Sequence, residues 1–123
     1  MTNLVEMDEQ VGIFTPMEEN VGPVILINKF RVGPEDFDKF LKAWVTEAEK
    51  FKQQPGFIST QLHSGIPGSG TFVNYAVWES AALFKRAVNT VMNSQDRMSA
   101  YPASTVASPH LFKKVAVPGI CVE

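Results

Sequence analysis

Two residues with hydrogen-bonding side chains, Asn74 and Trp78, lie four positions apart in the run FVNYAVW (72–78). The β-branched and aromatic residues of this run predict a strand, and residues four apart in a strand point to the same face. Ala76 lies between them on that face, so the pair predicts a concave aromatic site whose rim carries an amide and an indole N–H. On spacing alone, local backbone bonding by Asn74 and core packing by Trp78 explain the pair better, because buried aromatic residues usually serve packing.

The remaining candidates for chemistry differ in strength. Asn28 lies in the run VILINKFRV (24–32), which also predicts a strand, and it would join the first pair if the strand register allows. His63 and His110 are the only histidines, and neither has a cysteine or carboxylate at ligand spacing, so we predict no metal site. The glycine-rich loop 64–70 joins two predicted strands instead of opening a helix, which favours a hairpin over a phosphate-binding loop.

The elements that position these residues follow the order β-α-β-β-α-β. Apolar residues between Phe37 and Phe51 recur at helical spacing after Pro34, which predicts a long amphipathic helix, and Ser80 is a suitable N-cap for a second helix. This order is typical of the α+β, ferredoxin-like split βαβ fold, with a four-stranded antiparallel sheet and both helices on one face. The four strands are predicted at Val24–Val32, Phe57–His63, Phe72–Trp78 and Leu111–Val117.

The second face of that sheet would be apolar in a monomer. The residues expected to face water include Ile25, Ile27, Ile58, Leu62, Val73, Tyr75 and Val77. An apolar face of this size usually marks an interface, so we expect a homodimer whose sheets pack face to face. The pocket of each subunit would then lie between its own helices and sheet.

Composition limits the classes of protein that the chain can belong to. Its 123 residues suit one domain, and its net charge of −2 argues against binding to nucleic acid or to an anionic membrane. The single cysteine, Cys121, allows no intrachain disulfide, no apolar run is long enough to span a bilayer, and no signal peptide is visible. We therefore expect a cytoplasmic protein.

The charge is unevenly distributed between an N-terminal arm, residues 1–22, and a domain formed by residues 23–123. The arm contains five carboxylates and no lysine or arginine, and it also carries apolar residues such as Ile13, Phe14 and Met17. These apolar residues indicate packing, either against a partner subunit or elsewhere, while a frayed terminus is an equally good interpretation.

The stretch PGFISTQLHSGIPGSGTFVNYAVWESAALFKRA (55–87) closely resembles the antibiotic-biosynthesis monooxygenase family, and the run NKFRVGPEDFDKF (28–40) is compatible with it. The similarity is greatest to cofactor-free aromatic-polyketide oxygenases, which oxidise phenols or anthrones to quinones. It covers roughly residues 24–117 and implies a ferredoxin-like fold that forms a dimeric α/β barrel. It therefore implies an oxidoreductase that uses O₂ without a metal or an organic cofactor.

The resemblance also implies roles for individual residues. In the polyketide oxygenases the asparagine and tryptophan of the shared motif help to hold substrate and oxygen, and these positions match Asn74 and Trp78. A family arginine that stabilises negative charge matches Arg97 with one residue of slippage. Phe84 stands where those enzymes have a tyrosine assigned to proton transfer or substrate binding, and its phenyl ring can neither donate nor accept a proton. The predicted catalytic residues are therefore Asn74, Trp78 and Arg97, with Asn28, Phe84, Trp44 and Tyr101 as substrate-binding residues.

Three functions remain open at this level. The first is a monooxygenase that acts on a small, electron-rich aromatic substrate. The second is a non-catalytic dimeric module that binds a small aromatic ligand, which the phenylalanine at position 84 motivates. The third is a polyketide cyclase-like enzyme of the same fold. The related haem-degrading branch is not expected, because Ala87 and the region of Arg97 stand where that branch has a tryptophan and a haem-ligating histidine.

Overall fold

A five-stranded sheet with two helices on one of its faces forms the body of the protein. The computed structural model describes residues 3–93 and 101–122. The strands are β1 (Asn3–Leu4), β2 (Val24–Arg31), β3 (Phe57–Ser64), β4 (Thr71–Trp78) and β5 (Val106–Phe112), and the helices are α1 (Phe37–Lys52) and α2 (Ala81–Met92). Their order across the sheet is β1-β5-β2-β4-β3. The four strands from β5 to β3 are antiparallel neighbours in ferredoxin-like order, which confirms the predicted fold class.

The helices begin where local sequence favours them. A 3₁₀ turn, Pro34–Asp36, leads into α1, with Pro34 at its first position. At the start of α2 the Ser80 Oγ accepts a hydrogen bond from the Leu83 N–H at 3.1 Å, as its predicted role as an N-cap requires. The helices bury their apolar stripes against the same face of the sheet, which we call the inner face.

The predicted last strand, Leu111–Val117, was wrong in position. The chain forms β5 at Val106–Phe112 instead, antiparallel to β2, and residues 113–116 are not in a strand. The strand was missed because it contains Pro109, and proline cannot donate to a sheet ladder and is normally confined to edge strands. It is tolerated here because β1 pairs only with Val106 and Ala107, so β5 has no second neighbour at Pro109 among the described residues.

A bulge in β3 changes which of its residues face the helices. The register shifts between Phe57 and Ser59, so that Phe57 pairs with Trp78 and Thr60 pairs with Ala76. Ile58 lies in the bulge and is exposed, whereas Leu62 packs against the inner core. The expectation that Leu62 would face water was therefore wrong.

The opposite, outer face of the sheet is largely apolar at its centre. Ile25 pairs with Val77, and Ile27 pairs with Tyr75, on the strands β2 and β4. Tyr75 is 38% exposed, but Ile25 is buried at 9% exposure, so the expectation that Ile25 would face water was wrong. In the described residues, no helix has the length and apolar character that a membrane span requires.

The N-terminal arm packs onto its own chain. Strand β1 runs parallel to β5, and Ile13 and Met17 are buried in the inner core with relative exposures of 3% and 5%. An ion pair between Glu18 and Lys85 joins the arm to α2. The described part of the arm is therefore not a frayed terminus.

Candidate active site between the helices and the sheet

A cavity of about 530 Å³ lies between the two helices and the inner face of the sheet. Its wall is mainly apolar and aromatic, as in most small-molecule sites, with a few polar groups set among the rings. The predicted location of the pocket is therefore the observed one.

Two amides, Asn28 and Asn74, form the polar part of the sheet side of this cavity. They are direct partners in the β2–β4 register, so their side chains lie next to each other on the inner face. Thr60 Oγ1 donates a hydrogen bond to Asn74 Oδ1 at 2.5 Å, which leaves the Asn74 NH₂ group as a donor. Asn28 Oδ1 is buried and has no partner among the described residues. This amide pair thus presents a donor and an unsatisfied acceptor side by side.

Trp78 serves both packing and the cavity. Its ring is 2% exposed and makes edge-on contacts with Phe57 and Phe84, at centroid distances of 5.5 and 5.4 Å. It also lines the cavity on the same strand face as Asn74, with Ala76 between them. The two interpretations of this tryptophan, as a core residue and as a site residue, are therefore compatible.

The structure also locates the other predicted site residues. Trp44 of α1, Phe84 of α2 and Tyr101 line the same cavity as the amide pair. Arg97 lies outside the described residues, so its role stays a prediction.

A carboxylate that sequence reasoning missed, Glu47, also lines the cavity. It is half-buried on α1 and accepts a hydrogen bond from the Tyr101 hydroxyl at 3.1 Å. Burial raises the pKa of the Glu47 carboxyl, and this outweighs the lowering by the Tyr101 hydrogen bond and by the charge of Lys50. Burial and the neighbouring carboxylate also raise the pKa of Tyr101, which therefore remains a hydrogen-bond donor. Glu47 follows Trp44 by three positions and precedes Phe51 by four, so its helical spacing could have revealed it.

The arm contributes a wall of the cavity. Leu4, Ile13, Phe14 and Met17 all line it, although they belong to a segment that precedes the first long strand. Phe14 is 68% exposed while touching the cavity, so it lies at the rim.

Comparison with known proteins identifies the family. The family model described as "Antibiotic biosynthesis monooxygenase" matches residues 23–95, which span β2 to α2 and include both members of the amide pair. The chain belongs to this family. No curated protein matches the chain. The arm and β5 lie outside the matched residues. The cavity residues that belong to the arm are therefore not covered by the family model.

Solved structures similar to this antibiotic biosynthesis monooxygenase family member cover about four fifths of the chain. A protein of Shewanella loihica with a provisional monooxygenase assignment is 28% identical, with a TM-score of 0.66, covering 80% of this chain and 99% of its own. The cofactor-independent oxygenase SnoaB of Streptomyces nogalater is 24% identical, with a TM-score of 0.64 and the same coverage. The heme-degrader MhuD of Mycobacterium tuberculosis, with two hemes bound in its active site, is 27% identical, with a TM-score of 0.60, covering 79% of this chain and all of its own.

The residues around the cavity do not fit a histidine-ligated haem. Among the described residues, no histidine or cysteine lines the cavity. His63 is an exposed residue of β3, and His110 pairs with Ile27 on the outer face. Cys121 is exposed in the C-terminal turn, and no group of three potential metal ligands occurs in the described part of the chain.

Proposed function

We propose that this family member is a cofactor-independent monooxygenase that oxidises a small, electron-rich aromatic substrate, of the phenol or anthrone type, to a quinone with O₂. The amide pair carries the proposal, because Asn28 and Asn74 place a buried acceptor without a partner beside a free donor in an apolar cavity. A flat aromatic molecule with a hydroxyl and a carbonyl group would satisfy both amides, whereas an apolar ligand would leave the Asn28 oxygen unpaired at a cost of about 1–3 kcal/mol.

The proposed reaction needs no reductant other than the substrate. The CH₂ carbon of an anthrone loses a proton and passes one electron to O₂, and the resulting carbon radical and superoxide combine to form a C–O bond. Protonation gives a hydroperoxide, and loss of the remaining C–H proton with hydroxide leaves a quinone carbonyl and one water. The four electrons lost by the carbon reduce O₂ to the carbonyl oxygen and water, so the reaction balances.

The side chains on the sheet would stabilise the negative charge that develops on the substrate during this reaction. The Asn74 NH₂ group and the Trp78 indole N–H are donors that can stabilise the oxyanion of the deprotonated substrate. Their positions are fixed by the strand and by the rings around Trp78, so they need little reorganisation during the reaction.

Oxygen uptake with an anthrone in metal-free buffer tests the proposal. We expect wild-type protein to consume O₂ above the uncatalysed rate, and Asn74→Ala to lower kcat by about 10²–10³-fold, the effect of losing one oxyanion donor. Trp78→Phe removes the indole N–H while keeping a ring in the core, so it should lower the rate without unfolding the protein. Asn20→Ala, a change of an exposed amide outside the cavity, is the matched control.

The product separates this reaction from the alternatives. Oxygenation of the anthrone CH₂ to a carbonyl raises the product mass, while a cyclase that dehydrates its substrate lowers it. Binding with no change in mass would identify a ligand-binding module. Uptake equal to the uncatalysed rate would refute the proposal for this substrate class, and loss of uptake on addition of a chelator would refute its cofactor-independent part.

A further inference from the structure

The cavity contains an ionisable side chain besides the groups assigned to the proposed reaction. Among the described residues that line it, Glu47 is the only carboxylate, and the rest of the wall is apolar, aromatic, hydroxyl or amide. A half-buried carboxylate beside an apolar cavity is costly to ionise, and such groups are concentrated at functional sites.

The position of Glu47 complements that of the amide pair. Glu47 lies on α1, one helical turn from Trp44 and one from Phe51, and all three line the cavity. Asn28 and Asn74 line it from the sheet. A flat substrate held between the helices and the sheet would therefore meet hydrogen-bonding amides on one side and a proton acceptor on the other.

Tyr101 holds this carboxylate in place. Its hydroxyl donates to Glu47 Oε1 at 3.1 Å, from the segment that leads into β5. The Tyr101 ring is itself fixed by Phe30 and Phe40, at centroid distances of 6.0 and 5.7 Å. Because Tyr101 engages Oε1, the second carboxylate oxygen remains the one to accept a proton from a substrate.

We propose that Glu47 is the general base that deprotonates the aromatic substrate before it reacts with O₂, and that Tyr101 is the positioning residue for its carboxylate. This inference rests on the proposed monooxygenase function and adds a catalytic residue to it. In the step itself, the substrate C–H or O–H bond breaks, its proton passes to Glu47, and its electron pair stays on the substrate as a carbanion or phenolate. Glu47 then returns the proton to the peroxide formed with O₂, so the base is regenerated.

The electrostatics of the site agree with this role. Desolvation raises the pKa of Glu47, which makes its carboxylate a stronger base than one in water. The titratable groups that act on it in the described part of the chain are Tyr101, by its hydrogen bond, and Lys50, by its charge, and both lower the pKa. Phe84, which lines the cavity from α2, has no group that can take part in proton transfer, whereas Glu47 supplies a proton acceptor.

An anaerobic experiment isolates this step from the chemistry of oxygen. Anthrone mixed with wild-type protein under argon should give the visible absorbance of its enolate, and Glu47→Gln should abolish this signal because an amide cannot accept the proton. With O₂ present, Glu47→Gln should lower kcat by about 10²–10⁴-fold with little change in KM, the usual contribution of a general base. Glu47→Asp should restore part of the rate, and Glu49→Gln, on the exposed side of the same helix, should behave as wild type.

Tyr101→Phe gives a second, independent readout. The rate depends on ionised Glu47, so it should rise as the pH rises through the pKa of that group. Removing the Tyr101 hydroxyl removes a hydrogen bond that lowers this pKa, so the rising limb of the pH–rate profile should move to higher pH. A merely structural tyrosine would change the rate without moving the limb.

The outcomes separate the two proposals. Enolate formation that requires Glu47, without O₂ uptake, would support the base and refute the monooxygenase. Equal enolate formation and equal turnover by wild type and Glu47→Gln would overturn the role of Glu47 while leaving the monooxygenase standing. An unmoved pH limb in Tyr101→Phe would overturn the positioning role of Tyr101.

Discussion

Among single residues, Glu47 is a carboxylate in mainly apolar surroundings, a position that folding alone disfavours. Its folded-state pKa is raised above the ordinary value of 4.5, mainly by burial. The stability contributed by such a group is fully present below its unfolded pKa and is lost as the pH rises through its folded pKa. Glu47 thus destabilises the folded protein near neutral pH, where it must be ionised to act as a base.

Glu47→Gln should therefore make the protein more stable near neutral pH while making it less active. Glutamine has a similar shape and no charge to desolvate, so the melting temperature of the variant should exceed that of wild type at pH 8. The difference should disappear near pH 4, where both side chains are uncharged. Calorimetry at the two pH values measures this, with Glu49→Gln as the control for loss of an exposed charge. A lower melting temperature for Glu47→Gln at pH 8 would contradict the destabilising role.

The residues of the site differ in how far the sequence predicts them. The spacing of Asn74 and Trp78 was sufficient to place both on one strand face, and only the β2–β4 register was needed to add Asn28. Glu47 was missed because an amphipathic helix is recognised by its apolar positions, and a carboxylate within the apolar stripe reads as an interruption. Its hydrogen bond to Tyr101 joins residues 54 positions apart, which no local pattern predicts.

Among the elements, local sequence predicted the bounds of the helices and the central strands closely. It failed where contacts with other parts of the chain decide the structure. Ser80 has its predicted cap bond, and β4 begins one residue before its prediction. The position of β5 depends on Pro109 lying where no neighbouring strand needs its missing N–H. The bulge in β3 likewise depends on the pairing of Phe57 with Trp78, which single-strand alternation cannot show.

The arm is the element whose role the sequence left open, and its two parts should respond differently to substitution. Met17 is 5% exposed within the core, so Met17→Ala should lower the free energy of unfolding by about 2–5 kcal/mol. Phe14 is 68% exposed at the rim, so Phe14→Ala should leave stability nearly unchanged but alter the affinity for aromatic ligands.

Urea denaturation and titration with a hydroxylated anthraquinone measure these two effects separately. Val11→Ala, a change of an exposed apolar residue of the arm that does not line the cavity, is the control for both. Equal affinity in Phe14→Ala and wild type would show that the exposed rim position of the arm does not shape the ligand site.

In the molecule as a whole, the outer face of the sheet is the large surface on which no helix of the described part of the chain packs. Paired apolar residues at its centre, Ile25 with Val77 and Ile27 with Tyr75, are covered by neither helix, because both helices pack on the inner face. A contiguous apolar face on a small protein usually marks an interface, and a second copy is the simplest partner because its own face has the same character. We therefore predict a homodimer formed by the two outer faces.

A charge at the centre of that face tests the prediction. Tyr75→Glu would bury a carboxylate in the dimer without a partner, at a cost that exceeds the contribution of most single interface contacts, while in a monomer the same side chain would be solvated. We expect light scattering to give twice the 13.6 kDa chain mass for wild type and the chain mass for Tyr75→Glu. Lys39→Glu, on the exposed side of α1, should remain dimeric. A monomeric wild-type protein would refute the dimer, and a dimeric Tyr75→Glu would place the interface elsewhere.

Because the cavity lies on the other side of the sheet, Tyr75→Glu should still bind an aromatic ligand if each subunit's site is complete. Loss of binding would show that the site needs the assembled pair.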